Sequence, residues 1–294
     1  MRVLLATDGS ADARAAAAWL RGFPLPGSAK VRVLSVVTLP PSPLDVPPVA
    51  EFNAALLADG RRVVEEALGL LGPRGARAEV RVVQGHPKEE IVREAEEWPA
   101  DLVVVGARGL GAVKAFLLGS VSHTVVRHAH CPVLVVKGRP RTLAGVLVAT
   151  DGSEGANDAI RFFLALPLGR GVRVRLLSAV EEVPYPTAAP RVLRRQLRAI
   201  LAGVERERRT EVGGILDRAA ALLRTKLSRV TRSMPKGHPA GEILAAAAGF
   251  DADLIVVGAR GLGGMKRLLL GSVSERVLRD ARCPVLIVKG LRRD

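Results

Sequence analysis

An eight-residue pattern occurs twice in this chain: Val3-Leu4-Leu5-Ala6-Thr7-Asp8-Gly9-Ser10 returns as Val146-Leu147-Val148-Ala149-Thr150-Asp151-Gly152-Ser153, an offset of 143 residues. Gly85-His86-Pro87 returns as Gly237-His238-Pro239, and Cys131-Pro132-Val133-Leu134 as Cys283-Pro284-Val285-Leu286, both at an offset of 152. A chain of 294 residues made of two copies of one unit is expected to fold each copy around its own core. The expected domains are residues 1–138 and 144–290. The step from 143 to 152 puts nine additional residues between the first and third strands of the second copy.

Within each copy, short β-rich runs alternate with helical patterns. In the first, a strand at 2–7 precedes a helix from Ala11 to Arg21 that Ser10 can cap. A strand from Val31 to Val37, the Pro-rich connection Pro40 to Pro48 and a helix over 50–71 follow. Next come a strand from Glu79 to Val83, a helix with Pro87 near its first turn, and a strand from Asp101 to Val105. Val121, Val125, Val126 and Ala129 mark the apolar face of a fourth helix, and Cys-Pro opens a fifth strand, Val133 to Val136. Five strands separated by four helices imply an α/β fold with a parallel, doubly wound sheet in each domain. The linker Gly138 to Ala144 reaches at most ~25 Å, so the domains must lie close together. The fifth strands, apolar and at sheet edges, invite antiparallel pairing. That pairing would set Cys131 and Cys283 ~15–20 Å apart, too far for a disulfide. No base recurs beside these thiols, so they read as small buried residues.

The stretch with most chemical content follows the fourth strand. Gly106-Ala107-Arg108-Gly109, nine residues, then Gly119-Ser120 recurs as Gly258-Ala259-Arg260-Gly261, nine residues, then Gly271-Ser272. It is neither a Walker A loop, which ends in Gly-Lys-Ser/Thr, nor the Rossmann glycine fingerprint. Glycines at a strand's exit, followed by a Ser-led helix, can present main-chain N–H groups to an anion. Gly106 and Gly109 would let the backbone approach phosphate oxygens, and Gly119, Ser120 and Ser122 would supply the helix start. Arg108, Arg260, Lys114 and Lys266 could add charge, or stand solvated on the loop. Asp8 and Asp151 end the first strand of each copy. Since Ser10 and Ser153 can cap the following helices, both carboxylates are expected to be free for ribose hydroxyls or for a hydrated Mg²⁺ held through water.

His86 and His238 read as helix-start residues, having no second His or Cys at ligand spacing. No Ser-His-Asp or Cys-His set recurs, so binding is favoured over turnover. The formal charge of +15 would suit a polyanion, and residues 191–229 carry eleven basic and four acidic side chains. One Tyr, two Trp and six Phe are too few for stacking platforms, which argues against a nucleic-acid partner and for a solvated Arg-rich helix. No apolar run approaches the ~20 residues of a membrane span, and Asp8 interrupts the N-terminus before a signal-peptide core could form. A cytoplasmic location is expected. Arg far in excess of Lys, with two Asn and two Gln, hints at a thermophilic source.

The loop G-x-x-G-x9-G-S, followed by Cys-Pro-Val-Leu, resembles the universal stress protein family. The likeness runs from Val3 to Lys137 and again from Val146 to Lys289, as in a tandem of two such domains. The resemblance implies a Rossmann-like sandwich of strand order 3-2-1-4-5 and membership of the ATP-binding branch. It further implies dimerisation through the fifth strands, here replaced by pairing within the chain, while a homodimer stays open. Carried over by position, Ala6, Thr7 and Asp8 would meet adenosine, Val36 the adenine, and Gly106, Arg108, Gly109, Gly119, Ser120, Val121 and Ser122 the phosphates. The second site would use Ala149, Thr150, Asp151, Ala179, Gly258, Arg260, Gly261, Gly271, Ser272, Val273 and Ser274. Ala179 is smaller than Val36, which implies a looser second adenine pocket. The expected function is a nucleotide-sensing or nucleotide-sequestering module of the stress response with at most slow ATP hydrolysis. The alternative is a scaffold whose basic 191–229 region binds nucleic acid or another acidic partner.

Overall fold

The computed structural model describes residues 1–39, 47–110, 118–138, 141–181, 191–262 and 270–290, with side chains from Val49 and from Ile200 onward in the two long helices. The first half runs β1 (Arg2–Ala6), α1 (Ala11–Gly22), β2 (Lys30–Val37), α2 (Pro47–Leu71), β3 (Glu79–Gln84), α3 (Pro87–Glu97), β4 (Leu102–Gly106), α4 (Ser120–His128) and β5 (Val133–Val136). The second runs β6 (Gly145–Ala149), α5 (Glu154–Ala165), β7 (Arg173–Leu177), α6 (Arg191–Arg224), β8 (Arg229–Ser233), α7 (Pro239–Gly249), β9 (Leu254–Gly258), α8 (Ser272–Asp280) and β10 (Val285–Val288). The expected alternation is observed in both halves. Ser10 and Ser153 cap α1 and α5, their hydroxyls accepting from the N–H groups of Ala13 and Ala156.

Within each half the strands pair parallel in the order β3-β2-β1-β4-β5 and β8-β7-β6-β9-β10. The central strands are apolar on both faces because helices cover both; Leu4, Leu5, Val103 and Val104 are wholly buried, as are Leu147, Val148, Ile255 and Val256. Under α3, the Arg32 guanidinium lies between Glu79 and Glu94 and 4.4 Å from the centre of the Trp98 ring. The second half has Ala246 in place of Glu94, and there Arg175 sits 4.5 Å from the Phe250 ring instead. Each arrangement packs against the helix whose first turn, at Pro87 or Pro239, borders a cavity.

The halves join into one ten-stranded sheet. β5 and β10 pair antiparallel, with Leu134 opposite Leu286. Neither cysteine forms a disulfide; Cys131 is buried and Cys283 half-buried, its thiol pushed up to about 11 by burial. Beyond this ladder, two lysines cross the junction reciprocally. Lys137 Nζ donates to the carbonyls of Leu278, Arg279 and Ala281 at the end of α8, and Lys289 Nζ to those of Arg127 and Ala129 at the end of α4. A helix C-terminus leaves carbonyls without intrahelical donors, and an ammonium group satisfies up to three.

Burial pushes both amines down to about 8 from 10.5, so at pH 7 both are mainly charged. Because folding weakens their hold on a proton, the unfolded chain binds more protons between about pH 8 and 10.5, and the pair's contribution to stability rises across that window. The double variant Lys137→Met, Lys289→Met should lose this rise. It should also unfold about 3 kcal/mol more easily at pH 7 through the stranded carbonyls. Denaturant titrations from pH 7 to 10.5 read both effects; an unaltered pH profile would mean that the amines are not held in the junction.

Candidate functional site

Two cavities, of about 680 and 510 Å³, open at the carboxyl ends of the strands, one per half, beside the first and fourth strands of each. This is where strand order reverses in an open α/β sheet and where ligands of such sheets bind. Equivalent residues line them. Ala6, Thr7, Asp8, Leu34, Val36, Pro87 and Ile91 in the first correspond to Ala149, Thr150, Asp151, Leu177, Ala179, Pro239 and Ile243 in the second. Gly106, Arg108, Gly109, Gly119, Ser120, Val121 and Ser122 likewise match Gly258, Arg260, Gly261, Gly271, Ser272, Val273 and Ser274. Every residue that the family resemblance carries over to a nucleotide site thus borders one of the two cavities, while Lys114 and Lys266 lie outside the described residues.

One end of each cavity is apolar, between the second strand and the helix that begins at Pro87 or Pro239. The other end holds the N-terminus of α4 or α8. Gly119 and Gly271 occupy the N-cap positions and no side-chain cap bond forms, unlike the Ser-capped α1 and α5. The first-turn N–H groups of these two helices therefore lack the usual local acceptor and carry the positive end of the helix dipole.

The carboxylates expected to be free are engaged. Asp8 Oδ1 accepts from the Ser10 N–H at 3.0 Å and Oδ2 from the Leu110 N–H at 3.0 Å; Asp151 accepts from Ser153 and Leu262 at 3.0 and 2.9 Å. Capping and carboxylate roles are not exclusive, because a carboxylate has acceptor sites enough for both neighbouring loops. Asp8 and Asp151 tie the exit of the first strand to the glycine loop, and both border their cavities.

Two of the glycines in each copy have a steric role beside the one expected. A Cβ on Gly109 would lie 2.5 Å from Asp8 Oδ2, and one on Gly261 still closer to Asp151 Oδ2. A Cβ on Gly106 would lie 2.5 Å from the carbonyl carbon of Asp12 and 2.6 Å from the Ala13 nitrogen; on Gly258 it would lie 2.6 Å from the Gly155 carbonyl carbon. The first pair makes room for a carboxylate, the second for the start of a helix. Ser122 and Ser274 also turn inward. Their hydroxyls donate to the carbonyls of Ala107 and Ala259 at 2.7 and 2.8 Å, pinning the loop to the helix and leaving a ligand mainly their N–H groups.

The two arginines differ. Arg108 pairs with Asp12, Nε to Oδ2 at 2.9 Å. The residue equivalent to Asp12 is Gly155, and Arg260 has no acidic partner among the described residues. His86 and His238 stand at the N-cap positions of α3 and α7 without side-chain cap bonds.

Some lining residues were not anticipated. Glu275 and Arg279 of α8 border the first cavity from the other half, and Glu275 Oε1 lies 3.2 Å from His123 Nε2. His123 and Glu275 occupy equivalent places in the two copies, so their complementary chemistry was the available signal. Over the second cavity stand Arg208, Glu211, Val212 and Ile215 of α6, within the basic region 191–229. Among the described residues, no cluster of three metal-ligating side chains occurs and no helix is long and apolar enough to cross a membrane.

Comparison with known proteins agrees with this architecture. The universal stress protein family model matches twice, over residues 1–137 and 145–289. A universal stress protein of Mycobacterium tuberculosis is 31% identical over 312 aligned residues, covering 98% of this chain and 96% of that protein. One from Thermus aquaticus is 38% identical over 147 residues, covering 49% of this chain and 97% of its own length. The crystal structure of a universal stress protein from Archaeoglobus fulgidus superposes with a TM-score of 0.67 at 26% identity, covering 100% of this chain and 97% of that one. With the family matched in both halves and full-length relatives of the same kind, the chain belongs to the universal stress protein family as a tandem of two such domains.

Proposed function

We propose that each half binds an adenine nucleotide, ATP foremost, and that the chain acts in the stress response as a nucleotide-sensing or nucleotide-sequestering module. The observation that carries this reading is an uncapped helix N-terminus facing an apolar recess across one cavity, built twice from equivalent residues. A nucleotide has that polarity: a flat base at one end and an anion at the other. Cavities of 680 and 510 Å³ fall within the range that holds drug-sized ligands.

In this reading the base lies against Leu34, Val36, Pro87 and Ile91, or Leu177, Ala179, Pro239 and Ile243. The sugar lies beside Ala6, Thr7 and Asp8, or Ala149, Thr150 and Asp151. The phosphates meet the glycine loop and the first turn of α4 or α8, where the N–H groups and the helix dipole stabilise negative charge. Arg260, having no acidic partner among the described residues, adds charge in the second site; Arg108 must first leave Asp12. Asp8 and Asp151 already accept main-chain N–H bonds. They would hold a Mg²⁺ ion through its water shell, with the phosphates as its principal ligands. Both carboxylates are taken up in holding the glycine loop to the first strand, and the reading is binding with at most slow hydrolysis.

Heat release from the purified chain, followed by an ultraviolet spectrum and phosphate analysis, should yield adenine nucleotide at up to two per chain. If nothing is released and calorimetry detects no uptake of added ATP, the proposal fails.

A further inference from the structure

The two cavities share a floor and differ in their roofs. Among the described residues, α2 contributes nothing to the first cavity, whereas α6 places Arg208, Glu211 and Val212 over the second. One difference is local. Gly60 of α2 lies against β2 and β3 so closely that a Cβ there would be 2.6 Å from Val37 Cγ2 and 3.2 Å from Val82 Cγ1. Val212 holds the equivalent place in α6 and lines the second cavity. At the strand below, Val36 is replaced by Ala179. A larger residue in the helix and a smaller one beyond the strand accompany the placing of α6 over the second cavity.

That space is bordered by charge. The Arg208 guanidinium has one long bond, Nη1 to the Glu181 carbonyl at 3.4 Å, and the Glu211 carboxylate has no partner among the described residues. Both are exposed and border the cavity, Arg208 through its contact with Glu181 beyond the end of β7. The groups available there are a planar five-donor cation and an acceptor-only anion, which together suit the polar edge of a purine or the hydroxyls of a sugar. At the corresponding end of the first cavity, the described lining is Leu34, Val36, Pro87 and Ile91.

We propose that Arg208 and Glu211 are specificity-determining residues that make the second site selective for the base and sugar of its nucleotide, whereas the described lining at the base end of the first site offers apolar shape alone. This inference rests on nucleotide binding as proposed above. The two sites then respond to different pools: the first to purine nucleoside triphosphates broadly, the second to ATP in particular. A site that hydrogen-bonds its ligand penalises an analogue that leaves those groups unpaired, whereas an apolar recess discriminates weakly.

The test isolates each site in the full chain. Gly261→Val leaves the first site to be measured, and Gly109→Val the second, with ATP, GTP and 2′-deoxy-ATP as calorimetric titrants. The second site should prefer ATP over at least one of the other two by about tenfold or more, against about threefold or less at the first. Adding Arg208→Ala and Glu211→Ala to Gly109→Val should bring the second site's preference down to that of the first by weakening ATP about tenfold, while the disfavoured nucleotide changes by about threefold or less. Equal selectivity at the two sites, or selectivity that survives the α6 substitutions, overturns the inference while leaving nucleotide binding intact. Absence of ATP binding in the unmodified chain would instead overturn the parent reading.

Discussion

Placing valine at both Gly109 and Gly261 should leave the chain folded and empty of nucleotide. Neither glycine has a positive φ, so the backbone itself tolerates a side chain. The conflict is with the carboxylate: the new Cβ would enter the space of Asp8 Oδ2 or Asp151 Oδ2. Either the aspartate swings away and gives up the Leu110 or Leu262 N–H, or the loop shifts and the phosphate cradle with it. A hydrogen bond to a charged group is worth about 1.5–3 kcal/mol, and with the misplaced loop the loss should reach about 100-fold in ATP affinity at each altered site. Each single variant should retain one nucleotide per chain, and the double variant none. The conflict is with the end of one side chain, so the thermal midpoint should fall by only a few degrees. Full occupancy in the double variant would refute the loop assignment, whichever nucleotide is released.

A neighbouring glycine in the same motif should give the opposite result, with stability rather than binding as the main casualty. At Gly106 the nearest atoms are the backbone of Asp12 and Ala13, and at Gly258 the backbone of Gly155 and Ala156. No side-chain rotation relieves such a contact. The start of α1 or α5 must lift from the end of β4 or β9, loosening the faces where Ala16, Ala17, Leu20, Ala159, Ile160 and Phe163 are buried. Overpacking a well-filled site costs typically about 1–3 kcal/mol, and contact with immovable backbone belongs at or above the top of that range. Gly106→Val and Gly258→Val should each lower the unfolding free energy by about 3 kcal/mol or more, read from urea titrations with unchanged slope. A loss under about 1 kcal/mol would show that the helix and strand are not packed backbone to backbone.

Much of this architecture was legible in the order of residue types. Alternating apolar runs and helical stripes located the elements, because burial on one face repeats with the period of the backbone. Ser10 and Ser153 were recognisable as caps because a cap requires a short side-chain acceptor at one place only. The candidate site residues were recognisable because the motif occurs twice at one spacing. What those residues do locally was less legible. Asp8 looked unoccupied because its second partner, Leu110, is 102 residues away and meets it only when β1 lies beside β4. Ser122 looked like a ligand group, yet its hydroxyl is spent on Ala107, a bond that depends on how the loop returns to the helix.

The repeat itself dictated two similar α/β units, their strand sequence, the proline and serine helix starts, and the glycine positions, all of which follow from backbone conformation and local burial. The spatial order of strands and the antiparallel join of β5 to β10 decided the rest. They bring Glu275 against His123, 152 residues away, and set Lys137 under the end of α8; a one-residue difference, Gly60 or Val212, accompanies the difference in helix over the two cavities. Such contacts follow from the placement of whole elements in space, and linear periodicity carries no record of which faces will meet.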